Sequence, residues 1–316
     1  MTTATTDALH AEDLAGLAEI AARLADGSSV DEPGFVAKVR RSWEDVPVAL
    51  RSTIRSFRRH SGPDGRLVVT GLPLGDVPDT PKVAGSVQRE ATVPAVTLLL
   101  FAHGLGDPGS FLAEKSGALV QDVVPVRGQE HVQGNVGSAE LTFHTENAFH
   151  PHRPDHVMLL CLRPDHDEVA ELRTACVRRL LPQLPADARK TLHRNEFLTS
   201  APPSFGGAAA GTAHSILSGD ADDPDLCYDQ AATRATTAAG EVALAVLNEA
   251  IREHADGVRL RHGDIAIVDN RVALHGRSSF VPRYDGRDRW LQRGFAFSDL
   301  RRSRDHRPGD GEVLTQ

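Results

Sequence analysis

Cysteine is scarce in this chain of 316 residues: three, at positions 161, 176 and 227, with no Cys-x-x-Cys pair. That excludes a disulfide scaffold and a thiolate zinc site. Aromatic residues are only 5% of the chain while His numbers 15, so a bound metal would draw its ligands from His and carboxylate. There is no excess of positive charge. Lys and Arg total 35 against 43 Asp and Glu, for a net charge of −8, which argues against a nucleic-acid surface that must neutralise phosphates. No apolar run reaches the ~18 residues of a membrane span; the nearest, Val93 to Ala102, suits a buried core element. The first residues, MTTATTDALHAEDL, lack the basic and apolar regions of a secretory signal, and a cytoplasmic protein without a membrane anchor is expected. The length suffices for one large domain, β-rich or α/β, or two smaller ones.

What is present divides into two textures. Leu9, Leu14, Leu17, Ile20, Ala21 and Leu24 recur at helical spacing, predicting an amphipathic helix over 8–25. A second helix is expected over 32–59, interrupted near Pro47, and a third over 85–106, closed by a loop from Gly104 to Gly109. The turn cluster Ser61-Gly62-Pro63-Asp64-Gly65 leads into a strand over 67–70. From about residue 118 short β-type runs take over, at 119–124, 140–144 and 157–162, followed by a helix-like stretch over 168–195. Residues 200–225, rich in Pro, Gly, Ala and Ser, read as a long mobile loop with little core. A helix over 239–255, with Val242, Leu244, Ala245, Leu247 and Ile251 at its apolar positions, precedes strands at 263–270, 271–275 and 290–297. The fold class expected is mainly β with inserted helices, an all-β sandwich or barrel core.

The chemistry concentrates in Leu141-Thr142-Phe143-His144-Thr145-Glu146. In an extended segment His144 and Glu146 point to the same side, so both can serve one divalent ion. His275, at the end of Val272-Ala273-Leu274-His275, is the natural third ligand of a 2-His-1-carboxylate triad, which leaves open positions for substrate and O2. Arg289 follows fourteen residues later, and Arg293 lies on the same face of that strand, roughly 13 Å further along at about 3.3 Å per residue. A guanidinium fork is what a dicarboxylate needs at its distal end. A zinc hydrolase could use the same triad but would not need an arginine-anchored dicarboxylate site, and the two His could be core residues. His150, His152 and His156 read as structural or as neighbours of the ligands, and Arg301-Arg302-Ser303-Arg304 as a solvated tail.

LTFHTENAFHPHRPDHVMLLCLR and GDIAIVDNRVALHGRSSFVPRYDGRDRWLQR together resemble the clavaminate-synthase-like branch of the Fe(II)/2-oxoglutarate oxygenases, which carries HxE where most of the wider superfamily carries HxD. Within that branch the chain is most similar to the asparagine 3-hydroxylases of lipopeptide antibiotic biosynthesis, through SVQREATVPAV, GLGDPGSFLAEKSGALVQDVVPV, DADDPDLCYDQAAT and the DLRRSR tail. The resemblance implies a double-stranded β-helix (jelly-roll) core in one domain over 1–316, with a mostly helical part over 1–117 and a substrate lid over 200–232. It implies Fe(II) on His144, Glu146 and His275, the far carboxylate of 2-oxoglutarate on Arg289, and O2 as oxidant.

For the substrate, the resemblance implies that Glu114 holds the α-ammonium group, Arg293 the α-carboxylate, and Asn135 and Asp229 the side chain. The activity implied is hydroxylation at Cβ of a free L-amino acid. Arginine hydroxylases of the branch carry Asp-Gly-Asp where this chain reads Asp229-Gln230-Ala231. One acid beside Asn135 suits a carboxamide, so L-asparagine is expected, with arginine- or lysine-like substrates as the alternative and a non-catalytic jelly-roll sensor as a third reading. The branch also places a Thr near the 2-oxoglutarate carboxylate. Leu172 falls at that position here, with Thr174 as its replacement.

Overall fold

The computed structural model describes residues 10–206 and 212–315. The N-terminal part is helical: α1 (Ala11–Leu24), α2 (Pro33–Ser42), α3 (Val48–Arg59) and α4 (Val93–Leu105). Pro47 stands at the N-cap of α3, where its fixed φ favours a helix start and the break was expected. Residues 8 and 9 of the first expected helix lie outside the described residues.

The third expected helix is shorter than its composition suggested. Over 85–92 the backbone is engaged in extended contacts, with the Val30 amide on the Arg89 carbonyl, Ala91 on Ser28 and Gln88 on Val120. The Thr92 side chain then caps α4 by accepting from the Ala95 amide, and Pro94 sits in the first turn. The helix carries through Gly104, and residues expected as a closing loop instead form a strand.

In chain order the strands are β1 (Arg66–Val69), β2 (Asp107–Phe111), β3 (Gln121–Val123), β4 (Leu141–His144), β5 (His156–Arg163), β6 (Glu171–Cys176), β7 (Phe197–Thr199), β8 (Leu217–Ser218), β9 (Asp225–Leu226), β10 (Thr233–Ala235), β11 (Asp256–Arg259), β12 (Ile265–Asp269), β13 (Ala273–Arg277), β14 (Trp290–Phe297) and β15 (Val313–Leu314). The large sheet has the order β1-β12-β5-β14-β2-β15, with β3 also pairing β14; the small one has the order β11-β6-β13-β4. They face each other as a jelly roll.

The helix-like stretch over 168–195 thus begins with a strand. In β6, Leu172 and Thr174 alternate with Glu171 and Arg173, and the strand is paired on both sides, to β11 and β13. Tertiary pairing overrides the helical composition, and only α5 (Val177–Leu180) and α6 (Ala186–Leu192) are helical there.

The long apolar runs follow from burial of the large sheet on both faces. In β5, Met158, Leu160 and Leu162 face α4 and the N-terminal helices, while Leu159 and Cys161 face the small sheet; Ile265 and Ile267 alternate with Ala266 and Val268 in the same way on β12. α4 lies against β14 because Gly294 has no side chain: a Cβ there would come within 3.0 Å of Leu98. α7 (Ala238–His254) packs on α5, α6 and β10 and buries Ala243, Leu244, Leu247 and Ile251, whereas Val242, expected inward, is 66% exposed. The 200–225 segment also contributes more core than expected, since Ile216 and Leu217 are fully buried. Residues 207–211, within the expected lid, lie outside the described residues. Among the described residues no helix is long and apolar enough to cross a membrane.

Among the described residues, two buried histidines have no hydrogen-bond partner on either ring nitrogen: His103 on α4 and His156 at the start of β5. Burial lowers each from the usual 6.5 to about 4. Between those values the unfolded chain binds more protons than the folded one, so stability is full above pH 6.5 and falls as pH drops toward 4. The melting temperature should decline over that window, with a loss on the order of a few kcal/mol. His156→Leu and His103→Leu should each flatten the decline, measured by thermal unfolding at stepped pH.

Candidate active site

Antiparallel pairing of β13 with β4 sets His275 directly opposite His144. The two rings lie 4.3 Å apart between centroids. His144 Nδ1 donates to the Thr142 carbonyl at 2.9 Å, which fixes the tautomer and leaves Nε2 with its lone pair. Glu146 lies just beyond β4, and its backbone is held by the fully buried Asn270: the Glu146 amide donates to Asn270 Oδ1 at 2.8 Å, and Asn270 Nδ2 donates to the Glu146 carbonyl at 3.1 Å.

His275 Nε2 and Glu146 Oε2 are 3.4 Å apart. One donor atom from each of His144, Glu146 and His275 falls within 4.8 Å of the others. Burial opposes the charged form of Glu146, but Arg293 and the two imidazoles overcome it and hold the carboxyl well below its usual range. Burial, aided by His144, lowers His275. The lowered His275 and the ionised Glu146 are in the protonation states a divalent metal requires of its ligands. Glu146 Oε2 has no hydrogen-bond partner, so the buried donor set fits a metal ion.

The triad opens on a cavity of about 720 Å³ between the two sheets. Every other expected site residue lines it: Glu114, Asn135, Asp229, Arg289 and Arg293. Arg293, on β14, is fully engaged on one side. Nη1 donates to Glu146 Oε1 at 3.1 Å, while Nη2 reaches Glu114 and Gln121. Burial works against its charge, but the two carboxylates hold its pKa above the ordinary value. Arg293 therefore links the acid expected to bind an ammonium with the acid of the triad.

Glu114 is presented by a tight turn in which Lys115 and Ser116 have φ of 50° and 53°. Lys115 pins that turn, its Nζ donating to the carbonyls of Ala84, Ser86 and Asp122.

Arg289 immediately precedes β14 and is buried. Asp285 and Asp288, close to it in sequence, both lie against His166. Asp229 bridges backbone-to-backbone to His144, and its Oδ1 accepts from the Ala231 and Ala232 amides. Gln230 is turned inward, joining the Phe143 amide to Asn248, and Ala231 lines the cavity. No second acid stands beside Asp229 in that turn.

Thr174 does not replace the branch threonine. Its hydroxyl accepts from Arg66 Nη1 at 2.7 Å and does not line the cavity, whereas Leu172 does. His156 is buried in the core and His150 packs on Phe111, neither beside the triad. Three functional candidates escaped the sequence reading. Asn270 holds Glu146. Asn147, at φ 52°, lines the cavity with an unpartnered Nδ2. Arg277, two residues after His275, lines the cavity and is lowered to about 9 by burial and by Arg289. The left-handed tolerance of Asn was the one available signal for Asn147.

A jelly roll with two imidazoles and a carboxylate at the mouth of its sandwich defines a non-haem metal oxygenase site. The chain belongs to the taurine catabolism dioxygenase TauD, TfdA family, whose model matches residues 64–295. It is 54% identical to the L-asparagine oxygenase of Streptomyces coelicolor over 94% of this chain and 90% of that protein, and 32% identical to clavaminate synthase 2 of Streptomyces clavuligerus over 90% and 89%. The crystal structure of asparagine oxygenase in complex with Fe(II), 2S,3S-3-hydroxyasparagine and succinate superposes with a TM-score of 0.94 at 52% identity, covering 98% of each chain.

Substitution of His275 or Glu146 by Ala should lower Mn(II) affinity by about two orders of magnitude or more, while Asn270→Ala should lower it roughly 10- to 100-fold through the position of Glu146. Titration calorimetry on the purified variants measures both effects.

Proposed function

We propose that this chain is an Fe(II)- and 2-oxoglutarate-dependent dioxygenase that hydroxylates Cβ of free L-asparagine. The observation that carries the reading is the convergence of His144, Glu146 and His275 with Arg289, Arg293, Glu114 and Asp229 on one cavity. When bound, iron(II) supplies the redox chemistry that couples oxidative decarboxylation of 2-oxoglutarate, giving succinate and CO2, to insertion of one oxygen atom of O2 into the Cβ–H bond.

The protein's part is placement. His144, Glu146 and His275 hold the metal on one side of the cavity. Arg289 takes the far carboxylate of 2-oxoglutarate. With Glu146 committed to the metal, Arg293 turns its charge to the substrate α-carboxylate, and the substrate ammonium group takes the place of Arg293 on Glu114. Asn135 and the free Oδ2 of Asp229 meet the side-chain amide, which needs both donors and acceptors. A cationic side chain would want a second acid, and Ala231 offers none. Held at both ends, asparagine presents Cβ to the metal.

The described flanks of the expected lid border the cavity through Ser204 and Phe205 on one side and Asp229 to Arg234 on the other. Within this proposal, 200–232 closes over bound ligands and excludes water. A cytoplasmic role supplying hydroxyasparagine for a lipopeptide antibiotic belongs to the same reading.

Reconstituted anaerobically with Fe(II) and then given 2-oxoglutarate and O2, the protein should release succinate in response to L-asparagine above all other amino acids. Asparagine deuterated at Cβ should lose one deuterium. Absence of amino-acid-stimulated succinate would end the oxygenase reading; preferential turnover of arginine or lysine would end the asparagine assignment alone. Asp229→Ala should raise the asparagine KM about 10- to 100-fold, with Fe(II) loading unchanged.

A further inference from the structure

One end of the cavity carries more positive charge than a single salt bridge uses. Along β13, residues 275 and 277 share a face, so Arg277 lines the cavity with His275. Arg277 is 5% exposed and Arg289 6%. Both guanidinium groups lie against one ring, that of Phe280, at 5.4 and 5.6 Å from its centroid. Arg277 Nη2 donates to the Ala139 carbonyl at 2.7 Å, and its buried Nε has no partner. Among the described residues, no carboxylate lies within ion-pair distance of either arginine.

The remaining charges nearby are spoken for. Asp165, the acid that acts on Arg289 from a distance, has both oxygens on the Val169 and Ala170 amides. Glu146 is held by Arg293 and faces the triad. The surrounding walls include Leu172 and Leu291. Two adjacent guanidinium groups buried without an acid cost several kcal/mol unless a ligand brings the anion. A carboxylate offers about four lone-pair sites, of which one arginine fork uses two.

We propose that Arg277 is a second guanidinium for the distal carboxylate of the co-substrate, forming with Arg289 a two-arginine clamp that selects dicarboxylates over acids with an uncharged tail. This rests on the reading of Arg289 as the co-substrate anchor. Arg277 does not touch the reacting atoms; it sets affinity and the position of the 2-oxoglutarate chain.

Binding of succinate to the metal-free protein, followed by calorimetry, isolates this end of the cavity from metal chelation. Wild-type protein should bind succinate at least tenfold more tightly than butyrate. Arg277→Gln should weaken succinate at least tenfold and narrow that preference, while asparagine binding and Mn(II) affinity, measured separately, shift less than twofold. Arg277→Lys, which keeps the charge, should restore part of the affinity and serves if the glutamine variant fails to fold. Unchanged succinate binding in Arg277→Gln overturns the proposal. So does a parallel loss of succinate, asparagine and Mn(II) affinity with a lowered melting temperature, which marks Arg277 as support for the Ala139 backbone alone. Arg289→Gln separates the two readings: if it abolishes succinate binding while Arg277→Gln does not, only the clamp fails, and if it too leaves binding intact, the anchor assignment falls with it.

Discussion

The pairing of β13 with β4 is the constraint on which the site depends. It places His275 opposite His144 at a contact distance that backbone hydrogen bonds enforce. A register slip of one residue would turn one imidazole to the opposite face of the sheet and separate the pair. Glu146 lies outside regular structure and needs separate restraint, which the buried Asn270 supplies through two hydrogen bonds to its backbone. The stitching of residues 228–230 onto β4, with the Thr145 amide on the Tyr228 carbonyl and Gln230 on Phe143, carries Asp229 to the same edge. The triad and Asp229 thus share one hydrogen-bonded scaffold.

Charge is distributed over the cavity with similar economy. Arg293 pairs with both Glu146 and Glu114, and its charge helps hold the buried Glu146 carboxyl well below its usual range. Each of these contacts is the kind a bound amino acid or metal would replace. Among the described residues Arg289 and Arg277 have no such carboxylate, and that asymmetry distinguishes their end of the cavity from the Glu114 end. The turn at Lys115 and Ser116 adds a local cost at positive φ, met by the three carbonyls that grip the Lys115 ammonium group.

Much of this was legible in the sequence because the relevant signals are local. The β5, β12 and β14 runs are continuous and apolar, as strands covered on both faces must be, and the alternation of His144 and Glu146 is a two-residue pattern. Other parts were hidden for physical reasons. β6 is written in residues that serve a helix equally well, and only its two neighbours make it a strand. β2 begins Asp107-Pro108-Gly109, which reads as a loop until β14 pairs with it. Arg277 follows a glycine and looks like an ordinary charge; its importance comes from burial against Phe280, which no spacing announces. The same is true of Thr174, whose hydroxyl is taken by Arg66 from a strand more than a hundred residues earlier.

The doubly covered large sheet has one more consequence. His144 and His275 stand on the small sheet, whereas Arg289 and Arg293 stand at or on β14 of the large one, so the two imidazoles and the two arginines belong to opposite walls. The gap between the triad and the two arginines is then a thickness, set by the side chains of Leu172, Leu291, Leu159 and Phe143 that pack between the walls. The interior packing works as a caliper. A methylene added to or removed from this spacer would shift the arginines relative to the triad without altering a residue of either.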